Sequence, residues 1–169
     1  MTGHYIATIL LRELRAIERE LNAYANEEQV WALPPGLPNS GGTLALHAAA
    51  NLQHFIGTVL AGTSYVRDRD AEFNRRNVPR TELIEELRRA EDTIRATLPR
   101  TDQSTLDSVY PLPVANRRVT TSDFLLHLVA HLAYHVGQLD FHRRIVTGDA
   151  TGVGPVSPAE LASAKPIEP

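Results

Sequence analysis

The stretch LHLVAHLAYHVGQLDFHR, residues 126–143, holds four of the chain's seven histidines and decides which fold the sequence predicts. Its apolar residues recur every three or four positions, which is the spacing of an amphipathic helix. These apolar residues are Leu128, Leu132, Val136 and Leu139. Thr121 or Ser122 is a suitable N-cap and Gly148 suits a C-terminal cap, so we predict a helix from about residue 121 to 146.

The histidines of this helix form a stripe beside its apolar face. Each residue turns an α-helix by about 100°, which places five polar residues on one arc roughly 80° wide. They are His127, His131, His135, Gln138 and His142. The apolar residues lie next to this arc, so the stripe borders the core. Histidines that only decorate a solvated surface would lie opposite the core.

Three further segments show helical periodicity, and no strand pattern stands out. They run from about His4 to Glu28, from Thr43 to Ala61 and from Thr81 to Leu98. Prolines and glycines interrupt the periodicity in LPPGLPNSGG, residues 33–42, and the connection at 99–119 is also long. Four amphipathic helices with two long connections predict an all-α four-helix bundle. We assign the bundle domain to residues 1–147 and a Gly/Pro-rich tail to residues 148–169.

Composition argues against several classes of protein. The chain has 17 basic and 20 acidic residues, a net charge of -3, and it lacks the basic patch of a nucleic-acid-binding surface. Its apolar runs are too short to span a bilayer, and charged residues interrupt the N-terminal segment before a signal peptide could form. Without cysteine it has no disulfide, thiolate ligand or thiol nucleophile of its own. We expect a cytoplasmic protein that binds neither nucleic acid nor membranes.

His131 and His135 are the best-placed pair of metal ligands. Residues four apart lie one turn apart on the same face of a helix, so two imidazoles can converge on one ion. A third ligand has to come from another helix, and the second helix has its own polar stripe of His47, Asn51 and His54. His47 is our first candidate and His54 our second. Three imidazoles leave a coordination position open, as in reactive metal sites.

Other interpretations of these polar residues stay open. Histidine pairs at this spacing also occur without a metal, and Asn51 or Gln138 could either orient a ligand or bond a backbone carbonyl. We expect His127 and His142 at the surface or behind the ligands. A di-iron carboxylate site is excluded, because it needs Glu-x-x-His motifs and the chain has none.

The connection after the second helix contains RDRDAEF, residues 67–73. We interpret residues 67–70 as a solvated run of charges that compensate one another. Glu72 and Phe73 are less expected in a loop, and Glu72 is a further candidate for a residue that supports a metal ligand.

Three stretches resemble the DinB-like (DinB/YfiT-like) superfamily of small bacterial four-helix proteins, which are described as metal-dependent enzymes. They are LHAAANLQHF at 46–55, RDRDAEF at 67–73 and HLAYHVGQLDFHRRI at 131–145. The third matches the family pattern H-x-x-x-H-x-G-Q, and the order and length of the helices fit across about residues 4–147. The resemblance implies a divalent metal bound by His47, His131 and His135, the same three residues that the helix periodicity favours.

The resemblance also suggests a function. Relatives of this fold include thiol-dependent transferases and isomerases that use mycothiol or bacillithiol, so we expect a hydrolase or a thiol-dependent transferase with zinc or nickel. Many relatives pair as homodimers, for which Ile9 and Leu11 would offer apolar surface. The alternative is a non-catalytic metal-binding or interaction bundle, in which the histidine site only stabilises the fold.

Overall fold

The computed structural model of the protein describes residues 2–154 and 156–167. Within these ranges it is 66% helical and contains no strand, which confirms the predicted all-α class. The seven α-helices are α1 (Thr2–Asn22), α2 (Glu27–Trp31), α3 (Gly41–Leu52), α4 (Arg69–Asn74), α5 (Arg80–Thr97), α6 (Gln103–Asp107) and α7 (Thr121–Thr147). Short 3₁₀ turns follow at Leu98–Arg100 and Pro158–Glu160.

Four long helices form the bundle. Helix α1 packs on α5 and α7, and α3 packs on the same two helices from the other side. Each helix contributes an apolar stripe at three- and four-residue spacing, so the core is continuous along the bundle. Its fully buried members include Leu10, Leu14, Ile17, Leu52, Leu83, Leu87, Ile94, Leu125 and Leu139.

Side-chain caps fix where several helices begin. Ser40 accepts a hydrogen bond from the backbone N–H of Thr43 at the start of α3, and Thr120 does the same for Asp123 at the start of α7. The N-cap of α7 is therefore one residue before our prediction. The third long helix was predicted to begin at about Thr81; helix α5 begins one residue earlier, at Arg80 after Pro79, and Thr81 lies within its first turn.

The first helix is shorter than the periodicity predicts. Helix α1 ends at Asn22, and a new helix α2 begins after Asn26, whose side chain accepts a hydrogen bond from the N–H of Gln29. An apolar pattern does not reveal this break, because Tyr24 in the connecting turn is itself buried.

The connection at 99–119 contains helix α6 and two isolated antiparallel bridges.

Helix α3 continues as a π-helix over Gln53–Leu60. The wider π turn shifts side chains relative to the 100° step of an α-helix. The angular assignment therefore holds for His47 and Asn51, which lie in the α-helical part, and fails for His54. Phe55 in the π segment lies on the ring of Phe124 of α7, with centroids 5.0 Å apart.

A buried ion pair joins the first and last helices. The Nε of Arg143 donates to a Glu20 carboxylate oxygen over 2.6 Å, and neither side chain is exposed to solvent beyond 1%. The Nη atoms of Arg143 also donate to the backbone oxygens of Asp149 and Thr151, so the same guanidinium holds the start of the C-terminal tail.

His142 is a structural residue of this end of the bundle. We predicted it at the surface or behind the metal ligands, but only 1% of it is exposed. Its Nε2 lies 2.9 Å from the carbonyl oxygen of Ala32, and its Nδ1 lies 2.6 Å from the hydroxyl of Tyr24. Burial raises the pKa of Tyr24, so the phenol keeps its proton and donates to Nδ1. The prediction was wrong because helix periodicity does not show which chain segment covers an edge residue.

One residue named for the homodimer is not on the surface. Leu11 is buried in the core of the single chain, while Ile9 is partly exposed. The homodimer stays a prediction, without Leu11 as part of its apolar surface.

Among the helices of the described residues, none combines the length and hydropathy needed to cross a bilayer.

The packing of α2 on α3 should depend on Gly42. A Cβ at this position would overlap the Trp31 indole ring, which is fixed by a 3.1 Å hydrogen bond from Nε1 to the Val78 carbonyl. We expect Gly42→Ala to lower the free energy of unfolding by about 1–3 kcal/mol, because the ring has no room to move away. Gly137→Ala is the control, since no atom lies within 4 Å of its Cβ. That substitution should raise the free energy of unfolding in urea by about 0.5–1 kcal/mol.

The buried His142 should make stability depend on pH. Burial lowers its pKa, although the bond to Ala32 opposes the shift. The unfolded chain therefore binds a proton near pH 6.5 that the folded chain does not bind, and the free energy of unfolding falls as the pH drops below that value. His142→Gln keeps a donor and an acceptor but does not titrate. In urea unfolding of metal-free protein at pH 7.5 and 5.5, the variant should lose less stability than the wild type, by up to about 1.4 kcal/mol per pH unit. An equal loss in both proteins would contradict the prediction.

Candidate metal centre

Three histidines from two helices converge on one point. His47 of α3 and His131 and His135 of α7 each offer a ring nitrogen, and these nitrogens lie within 4.8 Å of one another. The His47 ring centroid is 5.3 Å from that of His131 and 4.9 Å from that of His135. The polar stripes of the two helices therefore face each other, as the sequence predicts.

A buried ion pair orients His47. Its Nδ1 lies 2.8 Å from Oε2 of Glu72, whose side chain is only 3% exposed. Arg67 donates to both oxygens of this carboxylate, over 2.6 and 2.8 Å. Burial alone would raise the pKa of Glu72, but the hydrogen bonds from Arg67 and His47 outweigh it and hold the pKa below its usual value. A charged carboxylate keeps the proton of His47 on Nδ1, which leaves the lone pair of Nε2 for the site.

His135 is oriented in the same way by a neutral partner. Its Nδ1 donates to Oε1 of Gln138 over 2.7 Å, three residues further along α7. The remaining nitrogen, Nε2, lies 3.1 Å from Nε2 of His131. The ligand-orienting role that we considered for Gln138 therefore agrees with its contact.

The histidines of α7 are held neutral. Burial lowers the pKa of His131 to about 4, with further contributions from the neighbouring His135 and His47. Burial also lowers the pKa of His135, against the effect of the Gln138 hydrogen bond. At neutral pH both rings therefore keep a lone pair. Three imidazoles whose ring nitrogens converge are a donor set that fits a divalent transition-metal ion.

The RDRDAEF segment, residues 67–73, is not only a solvated run of charges, because several of its side chains pack against the site. The Arg67 side chain is only 10% exposed, and its guanidinium lies over the Phe55 ring at 5.5 Å from the centroid. Asp68 caps α4, which carries Glu72 into the bundle behind His47. Phe73 packs on the other side of His47, with ring centroids 5.0 Å apart. The interpretation of Arg67 as solvated is wrong because its ionic partner Glu72, five residues later in α4, is buried inside the protein.

The remaining polar residues of the two stripes lie near the trio. His127 is exposed and stacks on His131, with ring centroids 6.1 Å apart. Asn51 is buried, and its Oδ1 has no hydrogen-bond partner among the described residues. The Nδ1 of His54, our second candidate for the third ligand, is also buried and unpaired within this part of the chain. The structure brings His47, and not His54, to the α7 pair.

Two clefts lie along α7 on either side of the trio. The larger has a volume of about 450 Å³ and an apolar lining that includes Leu44, Tyr134 and Phe141, with Gln138 at its edge. The smaller, of about 250 Å³, is lined partly by His127 and by residues of the connection before α7. Gln138, which contacts His135, lines the larger cleft, and His127, which stacks on His131, lines the smaller one. Clefts of this kind provide room for small molecules beside the trio.

Comparison with known proteins identifies the family to which the chain belongs. The family model that describes mycothiol-S-transferases matches residues 6–148, which include all three converging histidines. No curated protein and no solved structure matches the chain. The mycothiol-S-transferase family is part of the DinB/YfiT-like superfamily, so the resemblance noted from the sequence is confirmed. Because the match covers most of its length, the chain belongs to the mycothiol-S-transferase family.

Proposed function

We propose that the chain is a metal-dependent transferase that moves a low-molecular-weight thiol, of the mycothiol type, onto a small-molecule acceptor. The observation that carries this proposal is the convergence of His47, His131 and His135, with the outer nitrogens of two rings already bonded, in a member of a thiol transferase family. The functional unit is the bundle domain of residues 1–147, followed by the tail of residues 148–169.

The histidine trio is proposed to hold one divalent ion. Neutral imidazole nitrogens suit zinc or nickel, and three protein ligands leave a position open for a substrate. A divalent metal, when bound, supplies a Lewis acid that lowers the pKa of a coordinated thiol. Glu72 and Gln138 keep His47 and His135 in the tautomer with a free Nε2, and the Arg67 ion pair keeps Glu72 charged.

The nucleophile has to come from a second substrate. The chain contains no cysteine, so the sulfur that attacks cannot be its own. In the transfer, a new bond forms between the thiol sulfur and an acceptor carbon, while the bond from that carbon to its leaving group breaks and the leaving group takes the electron pair. The thiol proton passes to solvent or to the leaving group, and no redox partner is needed. Family membership favours this thiol transfer over hydrolysis, which a three-histidine site could also support.

The ligand assignment predicts which histidines are needed for metal binding. Protein purified without a metal-affinity tag and loaded with zinc should contain about one ion per chain by elemental analysis. His47→Ala, His131→Ala and His135→Ala should each bind zinc at least tenfold more weakly, because two imidazoles rarely hold such an ion tightly. Chelator should lower the melting temperature of the wild type but not of these variants.

His4→Ala is the matched control, since His4 lies on the exposed side of α1, away from the trio. It should keep the metal content of the wild type. Full metal content in any of the three ligand variants would contradict the assignment. Wild-type protein that takes up no metal would contradict the metal-dependent function as a whole.

Thiol transfer itself can be measured directly. Zinc- or nickel-loaded protein, mixed with mycothiol and a generic electrophile such as monochlorobimane, should form the thioether faster than the uncatalysed reaction. Chelator and His131→Ala should both reduce the rate to the uncatalysed level. A metal-loaded protein with no activity toward thiols would contradict the proposal and favour a non-catalytic metal-binding bundle. Activity on ester substrates alone would favour a hydrolase.

A further inference from the structure

One buried polar group beside the trio has no role in holding it. Asn51 is only 6% exposed, and its Oδ1 has no hydrogen-bond partner in the described part of the chain. A buried acceptor without a donor reduces stability, so a native chain usually pairs such a group with protein, water or a ligand. Asn51 lies one turn after His47 on the same face of α3, about 6 Å further along the helix.

The register of the two helices places Asn51 on the part of α3 that packs on α7. Helices α3 and α7 run antiparallel, because His47 lies opposite His131 and His135 while Phe55 lies opposite Phe124. A residue midway between His47 and Phe55 therefore faces the part of α7 that precedes His131. This is the end of the site where exposed His127 and the smaller cleft lie.

A second unpaired atom lies in the π-helical segment that follows α3. It is the Nδ1 of His54, which is buried without a partner among the described residues. In contrast, Gln53 is as buried as Asn51, at 6% exposed, but its Nε2 donates to Glu86 of α5 over 3.1 Å. Burial on this helix therefore does not by itself leave a polar side chain unpaired, and the free acceptor of Asn51 is the one that a ligand from the side of α7 would pair.

We infer that the Oδ1 of Asn51 accepts a hydrogen bond from an amide N–H of the thiol substrate, so that the chain selects thiols built on an acylated cysteine. This inference rests on the proposed function. In such a thiol the amide nitrogen is three bonds from the sulfur. A sulfur at the trio therefore brings the N–H within about one helical turn, the distance that separates Asn51 from His47. Thiols without an N–H leave the buried acceptor unpaired and bind more weakly.

Two small thiols separate this contact from metal binding. N-acetylcysteine and 3-mercaptopropionate share the same thiol and carboxylate skeleton, and only the first has the acetamido N–H. Titration calorimetry with the zinc-loaded full chain should give about tenfold tighter binding of N-acetylcysteine, because the other thiol leaves a buried acceptor without a donor. The measurement follows binding and does not depend on turnover.

Asn51→Leu tests the residue itself. Leucine has a similar shape and removes an unpaired acceptor, so this variant should fold at least as stably as the wild type. Its affinities for the two thiols should be nearly equal, with unchanged zinc content. Gln53→Leu is the matched control, because it has the same burial on the same helix but faces α5. It should keep the wild-type preference.

The outcomes distinguish the inference from the function on which it rests. Equal binding of both thiols by the wild type overturns the inference but leaves thiol binding intact, and it assigns water as the partner of Asn51. A tenfold preference that persists in Asn51→Leu also overturns the inference, since another group then accepts the hydrogen bond of the amide. If neither thiol binds to zinc-loaded wild-type protein, the proposed function fails together with the inference.

Discussion

The contact between the polar stripes of α3 and α7 is the constraint on which the site depends. Two helices that pack side by side normally bury apolar residues, yet here imidazoles from both helices meet at ring distances of 4.9 and 5.3 Å. Burial makes the charged form of each imidazole unfavourable, so the α7 rings stay neutral. The outer nitrogens of His47 and His135 are already bonded, so their inner nitrogens and one of His131 face one another, an arrangement that a bound cation would stabilise.

The rest of the chain supports this contact from two sides. Asp68 caps the short helix α4, which carries Glu72 to His47, and there Arg67 forms an ion pair with the carboxylate and keeps it charged. On the other side the support is a single neutral amide, Gln138, within α7 itself. The orientation of His47 therefore depends on a segment outside the four long helices, whereas that of His135 depends on its own helix.

Helix periodicity was enough to predict much of this arrangement from the sequence. The long helices, the all-α class and the shared face of His131 and His135 all follow from the spacing of apolar and polar residues along one helix. The angular count placed His47 and His54 on the same stripe, with His47 preferred, and the structure places His47 next to the α7 pair, in the part of the helix before the π segment begins. The properties that could be predicted are therefore those of single helices.

The features that could not be predicted depend on contacts between distant segments. The sequence marks Glu72 as an unexpected acid in a charged connection, but only the folded chain shows that it is buried against His47 and Arg67. His142 lies on the same stripe of α7 as His131 and His135. It has a structural role instead, because Tyr24 and the carbonyl of Ala32 cover it.

The two kinds of buried histidine show what distinguishes a structural group from one available to a ligand. Both ring nitrogens of His142 have partners within the protein, so the residue only holds α7 to the turn after α1. His47 has a protein partner for Nδ1 alone, and the Oδ1 of the neighbouring Asn51 has none in the described ranges. A buried polar group that is left unpaired reduces stability, and selection for stability alone would replace it with an apolar residue of similar shape. The proposed thiol ligand would supply the partner that the Oδ1 of Asn51 lacks, whereas the fully paired His142 needs none.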